Sequence, residues 1–185
     1  MLTPAEQAFA QQLVAEAKAS GHPWPGYAAA EAFLESASYA APSGESGLAL
    51  ATNDVFGLKE PSWWQGQVYE EQTREVLNGI SVMEPADWPE FPTLAAAFAA
   101  RLTVLKSMPG TYGEALAAQD GAEFVRLVSA YWSPAAEGET GPNIFTFPSG
   151  TYQFVNPPPC RWSTAPNRAS EVLATYNSHP EIFAV

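Results

Sequence analysis

The chain has 185 residues, eight of them basic and twenty acidic, for a formal net charge of −12. That length suits one domain, 1–185, with a sizeable core, and a hydrophobic content of 46% excludes a disordered chain. The acidic balance without a basic patch excludes nucleic acid and anionic membrane surfaces as partners.

Thr3-Pro4-Ala5-Glu6 reads as a helix start, with an N-cap, proline at the first position and a capping box. Phe9, Leu13, Val14 and Ala17 give that helix one apolar face, and Gly21 stops it. A second helix is predicted from Tyr27 to Ser36, with Tyr27, Ala30, Phe33 and Leu34 inward and Glu31 and Glu35 on one side. A loop through Tyr39 and Gly44 follows, and Ser46 opens a short helix through Ala51. Asn53 to Lys59 reads as an irregular turn, and Trp63-Trp64 lies beyond it. Gln67 to Val82 is strand material folded about an Asn78-Gly79 turn.

Thr93 caps a long helix with Leu94, Ala97, Phe98, Leu102 and Leu105 inward. Tyr112 to Ala118 reads as a short helix, and Asp120 with Glu123 opens another. The segment 133–161 has six prolines and three glycines, and reads as an insertion within the domain. Phe145-Thr146-Phe147 and Tyr152-Gln153-Phe154 form a hairpin there, its aromatic side chains either a satellite core or a ligand platform. A last helix is expected from Pro166 to Asn177. The fold class is therefore α+β and mainly helical, with a small β-lobe.

Few residues offer chemistry. The single cysteine, Cys160, follows three prolines and reads as incidental. His22 and His179 belong to no metal or triad spacing, and suit capping or solvent. Glu35 ends an apolar helical pattern just where the chain breaks into small residues. It is either a solvated carboxylate or an acid against apolar neighbours, whose charged form is disfavoured. An acid that keeps its proton near neutral pH suits glycoside cleavage. Trp63 and Trp64 point opposite ways in extended chain, one toward the core and one free to stack on a sugar ring. Phe56 suits the core, and the Asn53 side chain suits bonding to nearby backbone.

The ordered set Leu34-Glu35-Ser36, Ser46-Gly47-Leu48-Ala49, Asn53-Asp54-Val55-Phe56-Gly57-Leu58-Lys59 and Thr73-Arg74-Glu75 resembles the glucosaminidase family of peptidoglycan hydrolases, glycoside hydrolase family 73. Trp162 to Ala169 is similar to that family's closing segment, with Arg168 where a Tyr is common and Ala165 where it has Asp. The Gly-Trp-Gly that follows the family's Leu-Glu-Ser is absent, and Tyr39 is the candidate aromatic in its place. The resemblance implies a lysozyme-like fold with a substrate groove between a helical lobe and the β-lobe. It implies cleavage of the β-1,4 bond from N-acetylglucosamine to N-acetylmuramic acid, with Glu35 as catalytic acid and Glu75 at the place of the second carboxylate. Glu70 and Glu71 are other candidates for that second acid, and substrate assistance by the N-acetyl group would need no second carboxylate there.

Tyr39, Asn53, Phe56, Trp63, Trp64 and Trp162 are the expected substrate contacts. No metal or cofactor is implied. The expected partner is the peptidoglycan glycan strand, met by a monomer at the cell wall, with no signal peptide visible. A non-catalytic glycan-binding protein and a lytic transglycosylase-like enzyme are the rival readings.

Overall fold

The computed structural model describes residues 1–37, 43–77, 80–107, 114–129, 143–147, 150–154 and 167–185, with backbone alone at 76–77, 143–147 and 150–154. Helix α1 spans Pro4–Ala19 and begins with the predicted capping box. Thr3 accepts from the Glu6 amide, and the Glu6 carboxylate takes the Thr3 amide at 2.8 Å. This closed exchange satisfies two helix-end donors, and it lets a buried glutamate sit at the helix start.

Helix α2, Pro25–Ser36, is the element around which the others gather. It packs against α1, α5 (Gly121–Ser129), α6 (Arg168–Ser178) and α7 (Pro180–Phe183). Its Ala28, Ala29, Ala30 and Ala32 are fully buried, so small side chains let neighbouring helices approach on several sides. Tyr27 and Tyr176 stack with ring centroids 3.8 Å apart, joining α2 to α6. The short α7 has no counterpart among the predicted elements. His179, Pro at its first turn and only four residues hid it, yet its Ile182 and Phe183 are buried against the main core.

Helix α3, Gly47–Thr52, is capped by Ser46, which accepts from the Ala49 amide. Strands β1 (Val68–Leu77) and β2 (Ile80–Pro89) form an antiparallel pair with Leu77 opposite Ile80. The pairing runs well past Val82, the predicted end of the strand material. Pro85 and Pro89 are tolerated because a two-stranded ribbon leaves one edge of each strand without a partner. Helix α4, Leu94–Ser107, follows, with Thr93 accepting from the Ala96 amide. The expected hairpin in 133–161 is present as β3 (Asn143–Phe147) against β4 (Gly150–Phe154). The readings of Cys160 and of the side chains of Phe145, Phe147, Tyr152 and Phe154 lie outside what is described.

One core cluster gathers Phe9, Leu13, Phe33, Phe56, Phe98 and Phe183. A second holds Leu105, Phe124, Val125, Val128 and Val172, and packs on Tyr27 and Leu34 of α2. His22 packs on this second group, which overturns the solvent-exposed alternative of its expected reading. It is 5% exposed, its ring meets Phe124 edge-on, and its Nδ1 accepts from the Trp24 amide. Burial, with the Arg101 charge second, pushes its pKa down to about 3, so it stays neutral.

Gly26 is required by close approach, because a Cβ there would overlap the carbonyl oxygen of Phe183. Helix propensity alone would favour Ala over Gly by up to about 1 kcal/mol. Gly26→Ala is nevertheless expected to destabilise the protein by about 1–3 kcal/mol, through displacement of α7. Urea unfolding checks the sign, and a more stable variant would mean that α7 is not seated on α2.

Candidate active site

Glu31 and Glu35 lie one turn apart on α2, and each meets an arginine from a distant part of the chain. Arg101, fully buried on α4, pairs with Glu31. Arg168, at the start of α6, reaches Glu35 with Nη1 at 2.5 Å and Glu31 with Nη2 at 3.7 Å. Two carboxylates and two guanidiniums thus form one continuous network. Glu31, Arg101 and Arg168 are almost entirely enclosed, whereas the Glu35 side chain is 29% exposed. Glu35 is therefore the member that reaches solvent. Burial raises its pKa, the Arg168 charge opposes that rise, and the Glu31 charge adds to it.

Phe56 supports this network from below. Its ring lies under the Arg101 guanidinium at 4.7 Å and meets Phe98 edge-on. At 2% exposure it occupies the core and presents no face to a ligand.

The chain following Glu35 is pinned rather than free to drift. Ser36 O accepts from the Ser46 amide, and Ala37 pairs with Glu45 as an antiparallel bridge. The ends of the loop therefore meet, whatever its length. Asn53 then takes a left-handed conformation at φ 55°, and its Nδ2 donates to Phe91 O at 2.7 Å. Phe91 in turn donates its amide to Thr52 O. Glu60 donates to Asp87 O, so the segment after α3 is stitched to the end of β2. Asn53 is thus a structural clamp between α3 and the β-hairpin.

On the inner face of the hairpin, Thr73 and Glu75 alternate with outward residues and stand across from Glu84 and Val82. Glu75 is 8% exposed and its Oε1 pairs with Lys59 Nζ at 2.5 Å. Glu70 and Glu71 are exposed. Trp63 is 42% exposed, while Trp64 packs edge-on against Phe91 and donates its indole N–H to Gln67 O. One tryptophan therefore faces inward and one outward. Tyr39 and Trp162 lie outside the described residues. A cleft of about 290 Å³ opens between Leu2, Leu34, Ala37, Thr175 and His179, beside the end of α2.

Asp54 is a carboxylate that sequence reasoning passed over. It is 2% exposed, and its Oδ1 accepts from the Phe56 amide. Burial raises its pKa to about 7, against backbone hydrogen bonds that lower it and with the Glu35 charge raising it further. Arg101 carried little sequence signal because it sits in an otherwise apolar helical pattern, and Arg168 stands out only as the residue where a Tyr is common. Eight basic residues in the whole chain, set against the Glu31/Glu35 spacing, were the available hint.

No protein-family model and no curated protein matches this sequence. Solved structures do match. A peptidoglycan hydrolase mutant from Sphingomonas sp. A1 aligns over 92% of both chains at 20% identity and TM-score 0.61. The glycoside hydrolase domain of Salmonella typhimurium FlgJ, C-terminally truncated, aligns over 95% of this chain and 98% of its own at 17% identity and TM-score 0.55. The catalytic domain of the autolysin Auto from Listeria monocytogenes aligns over 97% of this chain and 87% of its own at 16% identity and TM-score 0.62. The chain has the lysozyme-like α+β fold. Among the described residues, no helix is long and apolar enough to cross a membrane.

The Asp54 environment makes a prediction. Its folded-state pKa of about 7 lies above the unfolded value of 3.8. Its contribution favours folding below pH 3.8 and is lost as pH rises to about 7. Each pH unit of that interval is worth about 1.4 kcal/mol, so the ionised form costs roughly 4 kcal/mol at pH 8. Asp54→Asn escapes this cost. Its stability relative to the unsubstituted protein should climb between pH 4 and pH 8 in urea unfolding, and a flat difference would show that Asp54 does not titrate there.

Proposed function

We propose that this protein is a peptidoglycan hydrolase that cleaves the β-1,4 bond from N-acetylglucosamine to N-acetylmuramic acid, with Glu35 as general acid. The observation that carries this reading is the position of Glu35. It is the solvent-reaching member of a buried ionic network, at the end of the central helix of a lysozyme-like fold. Its desolvation favours the protonated form that must donate to the leaving glycosidic oxygen. The fold is shared with peptidoglycan hydrolases and an autolysin catalytic domain, which supports a cell-wall glycan as substrate. The ordered motifs that resemble the glucosaminidase family support the bond assigned.

On the opposite side of the sugar, Glu75 is the proposed second carboxylate. Its pairing with Lys59 gives it a charged partner on the inner face of the hairpin. The substrate N-acetyl group is the alternative stabiliser of that side, and it needs no protein carboxylate there. Trp63, exposed next to the hairpin, is the proposed stacking surface for a sugar ring. Tyr39 and Trp162 are proposed further contacts from sequence.

Glu35→Gln keeps the shape and removes the proton. It should lower release of reducing ends from purified cell walls by about 10²–10⁴-fold, with folding unchanged by circular dichroism. Equal wall clearing by both proteins in a zymogram would refute the assignment. Mass spectrometry of the fragments completes the experiment. Reducing N-acetylglucosamine ends are expected, and anhydro-muramic ends would instead identify a lytic transglycosylase.

A further inference from the structure

Arg168 holds two carboxylates at once. Its Nη1 is 2.5 Å from Glu35 Oε1, and its Nη2 is 3.7 Å from Glu31 Oε1. The guanidinium is 4% exposed, so its charge is set in a poorly solvated place. Glu31 is itself anchored by Arg101, which the Phe56 ring supports. The Nη1–Glu35 contact is of hydrogen-bond length, and the Nη2–Glu31 contact is a longer ion pair. Glu35, paired on that side, keeps 29% of its side chain exposed.

We propose that Arg168 is a positioning residue for Glu35: drawn from behind by the Glu31 charge, it fixes the direction of the Glu35 carboxyl and places a compensating cation beside it. This rests on the reading of Glu35 as the acid, and it adds the residue that governs when that acid is loaded. The charged groups around Glu35 are Glu31 on its own helix, Arg168 and Glu171 on α6, and Arg101 on α4. Asp54, after α3, also senses the Glu35 charge. Among these, Arg168 is the cation with the largest effect on Glu35. Without it, burial and the charges of Glu31 and Glu171 favour a retained proton, opposed by the weaker effect of Arg101.

A general acid works in its protonated form, so Glu35 ionisation sets the alkaline limb of the rate profile. Removing the Arg168 charge should raise the Glu35 midpoint, and with it that limb, by about one pH unit or more. Arg168→Lys keeps the charge but offers one ammonium instead of a fork. It should leave the midpoint within about half a unit of the unsubstituted protein, yet slow turnover about tenfold through lost orientation.

The test reads Glu35 directly. Carbon-13 NMR of labelled glutamate carboxyls, with the Glu35 signal assigned by its loss in Glu35→Gln, gives the midpoint in the unsubstituted protein, Arg168→Gln and Arg168→Lys. Rates of reducing-end release against pH give the limb. A raised midpoint and limb in Arg168→Gln support the proposal, and a folded Arg168→Gln with both unmoved overturns it. Should Arg168→Gln fail to fold, Arg168→Lys decides: slower turnover at an unmoved midpoint supports positioning, and unchanged turnover overturns it. Full activity in Glu35→Gln would remove the proposed function instead, while the NMR midpoints would still report whether Arg168 and Glu35 are coupled.

Discussion

A single buried carboxylate, Glu31, sets the terms for the centre of this protein. An isolated charge there would be strongly unfavourable, so the fold brings two guanidiniums to it. One comes from α4 and one from the start of α6. These helices are far apart in sequence; α6 packs on α2 and α4 on α1, and each sends an arginine to Glu31. Packing alone would allow more freedom, because the Ala-rich faces of α2 are nearly featureless. The ion pairs add a specific register that small apolar residues cannot impose.

The same network carries chemistry to the surface. Glu35 stands one helical turn beyond Glu31 and shares Arg168 with it. Desolvation favours its proton, and the shared cation favours its release. These opposed effects suit the general-acid role proposed for Glu35. Phe56 serves the site at two removes, through Arg101 and Glu31. A residue expected to touch substrate is in fact buried beneath the ion pairs of Glu31 and Glu35.

Backbone closure explains how a long loop after Glu35 is accommodated. The Ser36–Ser46 hydrogen bond and the Ala37–Glu45 bridge bring the loop ends together. Loop length then has little effect on where α3 begins, since closure entropy grows slowly with length. From α3, the left-handed Asn53 and its bond to Phe91 pass the geometry on to the β-hairpin. Motifs separated in sequence thus keep a fixed spatial relation. Gly44, at φ 82°, lies close against the backbone of α1 at Glu6 and holds the returning loop there.

Local physics was legible in the sequence. Capping at Thr3, Ser46 and Thr93, the apolar face of α1, the antiparallel pairing of β1 with β2 and the hairpin within 133–161 follow from residues near one another in the chain. Glu35 could be singled out for the same reason, since helix end and apolar pattern are both local. Tertiary structure decided what depends on distant partners. It placed His22 inside, turned the last residues into a buried helical turn, and put Phe56 beneath Arg101. It also made arginines of α4 and α6 the partners of two glutamates on α2. Sequence spacing records only that Glu31 and Glu35 share a helix face. Which charge meets them is settled by the packing of helices around α2, because compensation of a buried charge is a demand on the whole fold and leaves no local pattern.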